Sequence, residues 1–292
     1  MAIDLYQTVT DSIIAKLEQG VAPWVRPWNT SAVHGGMPYN ATSGKPYRGI
    51  NVALLFAPQF AATGWLTFKQ ARDVGANVRK GEKGSLIVFY KPFVVADRNA
   101  TPDADGKRPD KTIPLLRSFH VFNVEQIDNL PERLAPKLDE RSEAERTEAS
   151  IALMQRANVR HGGDRAFYAP GPDFIQLPEP TAFRSRSDYQ ATALHELTHW
   201  TGHESRLARA YGKRFGDEAY AREELVAEMG AAFLCAHCGI AGTLQHPAYI
   251  DNWLEVLKGD KRAVLIAASH AQKAADYVIA ADSDVDEVAL AA

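Results

Sequence analysis

The sequence predicts an α+β fold in two parts, and three observations carry that prediction. Alternating, β-branched and aromatic runs gather in the first 130 residues, where two long apolar stretches at 85–95 and 113–123 read as the arms of a hairpin. Charge changes sign along the chain: residues 1–130 carry a net +4 and the remainder −7. In the second part, a capping signature at Ser142 and the pentad His195-Glu196-Leu197-Thr198-His199 mark long helices.

Composition sets the frame for these elements. A chain of 292 residues that is 46% hydrophobic and 24% charged has enough apolar surface for one or two ordinary cores. Its only cysteines, Cys235 and Cys238, sit in an apolar helical stretch, so no disulfide framework exists and a reducing compartment is expected. Asp4, Asp11 and Glu18 interrupt the first 20 residues, and no apolar run approaches membrane-spanning length. The expectation is a cytoplasmic protein with no membrane partner.

Taken in order, Ile3, Leu5, Tyr6, Val9, Ile13, Ile14 and Leu17 recur at helical spacing and stop at Gly20, predicting an amphipathic opening helix. Pro23 and Pro27 break regularity, and Gly35-Gly36 and residues 43–46 mark loops before a short helix at 50–60. A strand at 65–68, a small helix at 69–74 and a turn at 79–84 precede the hairpin. Residues 97–111, rich in Asp, Pro and Lys without periodicity, predict an exposed mobile loop at its tip. Two prolines and dense charge place a linker at 131–141, between a first domain at 1–130 and a second at 142–292. There a helix starts at Ser142, with Glu145 completing a capping box, and runs through Ile151 and Leu153. A hairpin at 165–168 and 174–177 turns at Pro170-Gly171-Pro172. The pentad helix follows, capped by Ser187 with Gln190 three residues on, and residues 280–292 read as a fraying tail.

The pentad is the most informative feature. Two histidines four apart share one helix face and can hold one metal ion, with the intervening glutamate as general base of a hydrolase. Such a site takes a third protein ligand and leaves a position open for water. His203 stands eight residues after His195, where the three-histidine pattern needs one at ten; that position is Ser205. The better candidate is the helix at 222–233, where Glu224 and Glu228 lie one turn apart among small residues. We expect Glu224 to bind the ion and Glu228 to accept the other ring N–H of His195, with the reverse assignment open. Glu223 points about a third of a turn away and is expected to face solvent or form an ion pair. Glu196 is the expected general base. Arg206, Tyr211, Tyr220 and His246 are all available to stabilise an oxyanion, and spacing singles out none. Zinc is the expected ion, with manganese or another divalent cation as alternatives. Cys235 and Cys238 lack the second ligand pair of a zinc ribbon and read as buried helix residues.

The basic half has a different signature. Residues 39–91 carry a net +6, interleaved with aromatic rings and glycines, the composition that holds single-stranded nucleic acid by phosphate contact and base stacking. Lys45, Tyr47, Arg48 and Asn51 form one candidate cluster, Trp65, Phe68 and Lys69 a second, and Arg79, Lys80 and Lys83 a basic turn beside the strand ending in Phe89-Tyr90-Lys91. The alternatives are that the aromatics are core and the lysines a solvated rim, or that this half binds an acidic protein.

Several of these pieces, in this order, carry a likeness: the tryptophans at 24 and 28, Tyr47-Arg48-Gly49-Ile50-Asn51, Trp65-Leu66-Thr67-Phe68, residues 78–84, the stretch from His195 to His203, and Glu223-Glu224-Leu225-Val226-Ala227-Glu228. Together they resemble the ArdC-type antirestriction proteins of conjugative plasmids over nearly the whole chain. The resemblance implies an N-terminal domain that binds single-stranded DNA, similar to that of TraC-type plasmid primases, joined to a zincin-like metallopeptidase domain. It further implies protection of DNA entering by conjugation against host restriction, and it favours Arg48 and Asn51 over the scattered lysines. The protein substrate stays open, a host restriction component among the candidates, as does the alternative that the metal is structural and no peptide is cut.

Overall fold

Asp4 starts the first helix, α1 (Leu5–Leu17), by accepting hydrogen bonds from the Tyr6 and Gln7 amides, and Val9, Ile13 and Leu17 form its buried stripe. The structure, a computed structural model, describes residues 4–25, 36–96, 101, 108–135, 140–209, 218–241 and 247–289. Helix α2 (Ile50–Phe56) is buried along its whole length and opens at Gly49, whose φ of 59° a side chain would resist. There the Gly49 amide donates to Gln272.

The first half builds one four-stranded sheet. Its strands β1 (Tyr39–Asn40), β2 (Gly64–Thr67), β4 (Ser85–Ala96) and β5 (Asp110–Asn123) lie in the order β1-β2-β5-β4. The long hairpin pairs Ser85 with Val121 at its base and Ala96 with Asp110 at its far end. Both arms run further than expected, and residues 97–100 and 102–107 of the expected mobile loop lie outside the described residues. Helix α3 (Phe68–Asp73) begins at a Thr67–Gln70 capping box, and β3 (Asn77–Val78) pairs with β6 (Ile127–Asp128). Asn51 covers the outer edge of β4 by donating to the Val88 carbonyl and accepting from the Val88 amide, each at 2.8 Å.

In the second half the capping box of Ser142 and Glu145 opens α4 (Glu143–Met154). Three short strands follow: β7 (Val159–His161), β8 (Phe167–Ala169) and β9 (Phe174–Leu177). β9 is central, antiparallel to β8 and parallel to β7. The hairpin β8–β9 was legible from its turn residues; β7, three residues without an apolar alternation, was not. Then come α5 (Arg186–Thr201), α6 (Glu218–Cys238), α7 (Pro247–Gly259) and α8 (Ala263–Ala289). The cap of α5 is Ser185, not the expected Ser187: Ser185 is extended and its hydroxyl accepts from the Asp188 amide, while Gln190 is buried. The expected tail at 280–292 is instead the last part of α8 as far as Ala289. Among the described residues, no helix is long and apolar enough to cross a membrane.

One core crosses the boundary drawn at 131–141. It runs from Val9, Trp24 and Val52 in the first half to Leu194, Met229, Trp253 and Val264 in the second, with Trp24 set edge-on against Trp253 at 5.6 Å. Thr10 donates to the Lys261 carbonyl across the same junction. Two smaller clusters lie on the sheet, one around Tyr47, Leu55, Trp65, Ile87 and Val121, the other around Leu66, Ala71, Ala76 and Ile127.

Helices α5 and α6 approach closely at Gly230. A Cβ added there would overlap the Thr198 methyl group and come within 2.9 Å of its hydroxyl. Gly230→Ala is therefore expected to destabilise the fold by about 1–3 kcal/mol through overpacking. Urea denaturation checks this, and adding Thr198→Ala should recover part of the loss.

Candidate metal centre and nucleic-acid interface

The i, i+4 spacing on α5 sets the imidazoles of His195 and His199 side by side, with ring centroids 4.8 Å apart. Glu224, reaching across from α6, lies 3.6 Å from the Nε2 of each, one carboxylate oxygen to each ring. One donor atom from each of the three residues falls within 4.8 Å of the others. These separations exceed hydrogen-bond length, whereas donors held about 2.1 Å from one ion at tetrahedral angles lie about 3.4 Å apart. Two imidazoles and a carboxylate are also the donor types that such an ion takes. The triangle thus fits a single divalent cation.

Burial sharpens the electrostatics. Burial alone would lower the pKa of both histidines, but the facing carboxylates win: His195 is raised chiefly by Glu224, and His199 is pushed up to about 9 chiefly by Glu223. Burial conversely works to raise Glu224, yet the two imidazoles hold it down at about 2, with a hydrogen bond from Tyr220 contributing. Glu228 is buried one turn further on, and its charge adds to the rise of His195. Glu196 is buried, and its charge raises both histidines.

Glu223 takes the ion pair, one of its two expected settings, but takes it in the interior. It is buried, not solvent-facing, and lies 3.1 Å from His199 Nδ1. Its ion pair is with Arg209, which donates from Nε at 2.9 Å and from Nη2 at 2.8 Å. The same guanidinium donates to the Thr198 carbonyl and the Thr201 hydroxyl at the end of α5. Ala208 makes this return possible by adopting φ 48°, a left-handed turn costing about 1–2 kcal/mol that swings Arg209 back beneath α5. Sequence reading missed Arg209 because it lies on an irregular turn and its partners are divided between α5 and α6.

Of the residues considered for an oxyanion, Arg206 is committed elsewhere. It donates to both Asp173 oxygens, to the Tyr168 hydroxyl and to the Trp200 carbonyl, and stacks over the Trp200 ring at 3.9 Å. It therefore braces the β8–β9 hairpin against the end of α5. Tyr220 stands beside Glu224, while Tyr211 and His246 lie outside the described residues. His203 is engaged with the Ser205 hydroxyl at 2.8 Å and is not part of the triangle. Cys235 and Cys238 are buried, and burial pushes the Cys235 thiol up.

In the basic half, burial corrects two expectations. Trp65, 1% exposed, packs edge-on against Phe60, and the Asn51 amide is spent on β4, so neither can meet a base. Arg48 pairs with Asp276 on α8, Lys69 with Asp73, and Arg79 with Glu82 and Asp128. Lys45, Lys80 and Lys83 are exposed. Tyr47 is buried, and forms part of a groove of about 470 Å³ whose other walls are Asn40, Thr67, Ile87, Phe89, Arg117 and Phe119. Phe89 and Phe119 stand 46% and 47% exposed, with rings 5.8 Å apart. The signal that would have found them is period two: Ile87, Phe89, Arg117 and Phe119 share one face of the paired strands β4 and β5.

A pH dependence follows from His199. Its folded pKa of about 9 lies above the ordinary histidine value, so its stabilisation of the metal-free fold is complete below about pH 6.5 and lost as pH rises through 9. A cation must displace that proton, so affinity should strengthen by up to about tenfold per pH unit over the same interval. Calorimetric titration with Zn(II) or Mn(II) in buffers of different ionisation enthalpy should show proton release.

Known proteins share both halves of this arrangement. Residues 3–122 match the family model of the N-terminal domain of anti-restriction factor ArdC, and residues 145–270 that of a zincin-like metallopeptidase. Two proteins of Escherichia coli described as DNA primase TraC are 41% and 42% identical over 94% of this chain, which spans only 20% and 27% of their lengths. An uncharacterised protein of Sinorhizobium fredii, y4eC, is 38% identical over 96% of this chain and 93% of its own. The antirestriction ArdC protein of plasmid R388 in its metal-free crystal structure superposes with a TM-score of 0.78, at 39% identity over 97% of this chain and 99% of that one. Its Mn(II)-bound structure gives 0.74 at the same identity, over 96% and 98%. With the fold, the zincin-like half and a relative of matching length in agreement, this chain belongs to the ArdC family of antirestriction proteins.

Proposed function

We propose that the protein holds single-stranded DNA on the aromatic face of its first half and carries a zinc metallopeptidase-type centre in its second, shielding DNA that enters by conjugation from host restriction. The observation that carries the DNA reading is the exposed Phe89–Phe119 pair over a groove that also holds Arg117. Bases of any sequence stack on such rings, and a nearby guanidinium meets phosphate. Duplex DNA keeps its bases stacked inward, which favours the single strand. Lys45, Lys80 and Lys83 add charge that steers the polyanion, and Arg48, Lys69 and Arg79 join them where phosphate replaces their carboxylate partners, since exposed ion pairs contribute at most about 1 kcal/mol.

In the second half, His195, His199 and Glu224 are the residues we assign to hold the cation, and Glu228 the residue that orients His195. A zinc ion bound there supplies Lewis acidity and lowers the pKa of a water to about 7. Glu196, on the flank of the same helix face, takes a proton from the attacking water at its carboxylate and returns it to the leaving amine. Tyr220 is placed to donate a hydrogen bond beside Glu224. The substrate we favour is a protein of the restriction machinery. A second reading has one observation in its favour: His195, Glu196 and Glu224 are all buried, which suits a cation that only stabilises the fold.

Anisotropy titration with a fluorescent thymidine oligonucleotide tests the DNA face. Phe89→Ala and Phe119→Ala should each weaken binding by about 1–3 kcal/mol, and equal affinity in both variants would remove the groove from the reading. Digestion of casein and of purified restriction subunits by metal-loaded protein tests the other half. Glu196→Gln should abolish cleavage while leaving cation binding intact; no cleavage by the unaltered protein favours the structural role.

A further inference from the structure

Glu223 and Glu224 are adjacent, both buried and chemically alike, yet they meet different partners. Glu224 faces the Nε2 atoms of both histidines; Glu223 faces the Nδ1 of His199 and the guanidinium of Arg209. An ionised carboxylate only accepts hydrogen bonds, so the nitrogen 3.1 Å from Glu223 must carry a proton. The two imidazole nitrogens of His199 are thereby given separate tasks.

We propose that Glu223, clamped by the buried Arg209, is a positioning residue that keeps Nδ1 of His199 protonated and turns Nε2 toward the cation site, and that the clamp reserves Glu224 as the glutamate donor. The inference rests on the cation-binding reading above. Arg209, with only 4% of its side chain exposed, is a buried charge whose removal would leave Glu223 uncompensated. Its two hydrogen bonds to Glu223 use the lone pairs with which that carboxylate would otherwise compete for the cation. Its bonds to Thr198 and Thr201 tie the clamp to the helix that carries His199, so ring and carboxylate keep one register. Lysine, with a single ammonium, cannot reach these three partners in one plane. An ion pair that merely joined α5 to α6 would leave open which nitrogen of His199 meets the cation; this arrangement decides it.

The test measures Zn(II) affinity by competition with a chromophoric chelator, and the nitrogen-15 spectrum of the His199 ring, in the full chain. Glu223→Ala and Arg209→Met should weaken Zn(II) binding about 10- to 100-fold, whereas Glu223→Gln, which still accepts from Nδ1, should recover most of the loss. Zinc-loaded wild type should show His199 protonated at Nδ1 and coordinated through Nε2. Wild-type affinity in Glu223→Ala, or coordination through Nδ1, overturns the proposal. If the unaltered protein takes up no Zn(II) or Mn(II), the cation-binding reading fails separately. The Nδ1–H resonance of metal-free His199 then decides the clamp, which stands if Glu223→Ala abolishes that resonance and falls if it persists. Where a variant does not fold, the wild-type spectra alone distinguish Nε2 from Nδ1 coordination.

Discussion

Three buried carboxylates on α6, facing two imidazoles and an arginine from α5 and the turn after it, form the constraint on which the rest depends. Uncompensated, each such charge would cost several kcal/mol to bury; here Glu223 meets His199 and Arg209, Glu224 faces both imidazoles, and the charge of Glu228 acts on His195. The helices must therefore sit close and in fixed register. Gly230 provides the closeness by leaving room for Thr198, and Arg209 the register by binding both helices at once. Arg206 and the β8–β9 hairpin hold the far end of α5 in place.

The first half is joined to this arrangement through packing more than through the linker. Helices α1 and α2 contribute to the core that α6, α7 and α8 complete, and Gly49 and Arg48 reach Gln272 and Asp276 on α8. Arg48, Lys69 and Arg79, part of the positive charge that suggested DNA contact, are met by carboxylates, while two phenylalanines on the sheet remain open. Stacking surface, more than net charge, marks the face we assign to DNA.

Reading by pattern succeeded where a residue's partner is close in sequence. The capping box at Ser142, the opening helix, the hairpin arms and the i, i+4 histidines are all local signals, although the cap of α5 was set two residues late at Ser187. It failed where the partner is distant. Asn51 reads as a free amide until β4 lies beside it, and Trp65 as a stacking platform until Phe60 covers it. For Glu223 the ion pair was foreseen but not its burial or its partner, because α6 is buried continuously from Glu223 to Ala231 and Arg209 lies on the turn after α5.

By itself, the sequence determined the residue types of the centre and their spacing on α5, because helical geometry converts a four-residue interval into a shared face. It likewise determined the α+β class, through periods of two and 3.6. Only the tertiary structure decided between Glu224 and Glu228 as the carboxylate facing both imidazoles, paired Glu223 with Arg209, and determined which aromatics stay open to solvent. Those outcomes depend on how closely two helices approach and which strand face is covered, quantities set by packing between segments that no local interval encodes.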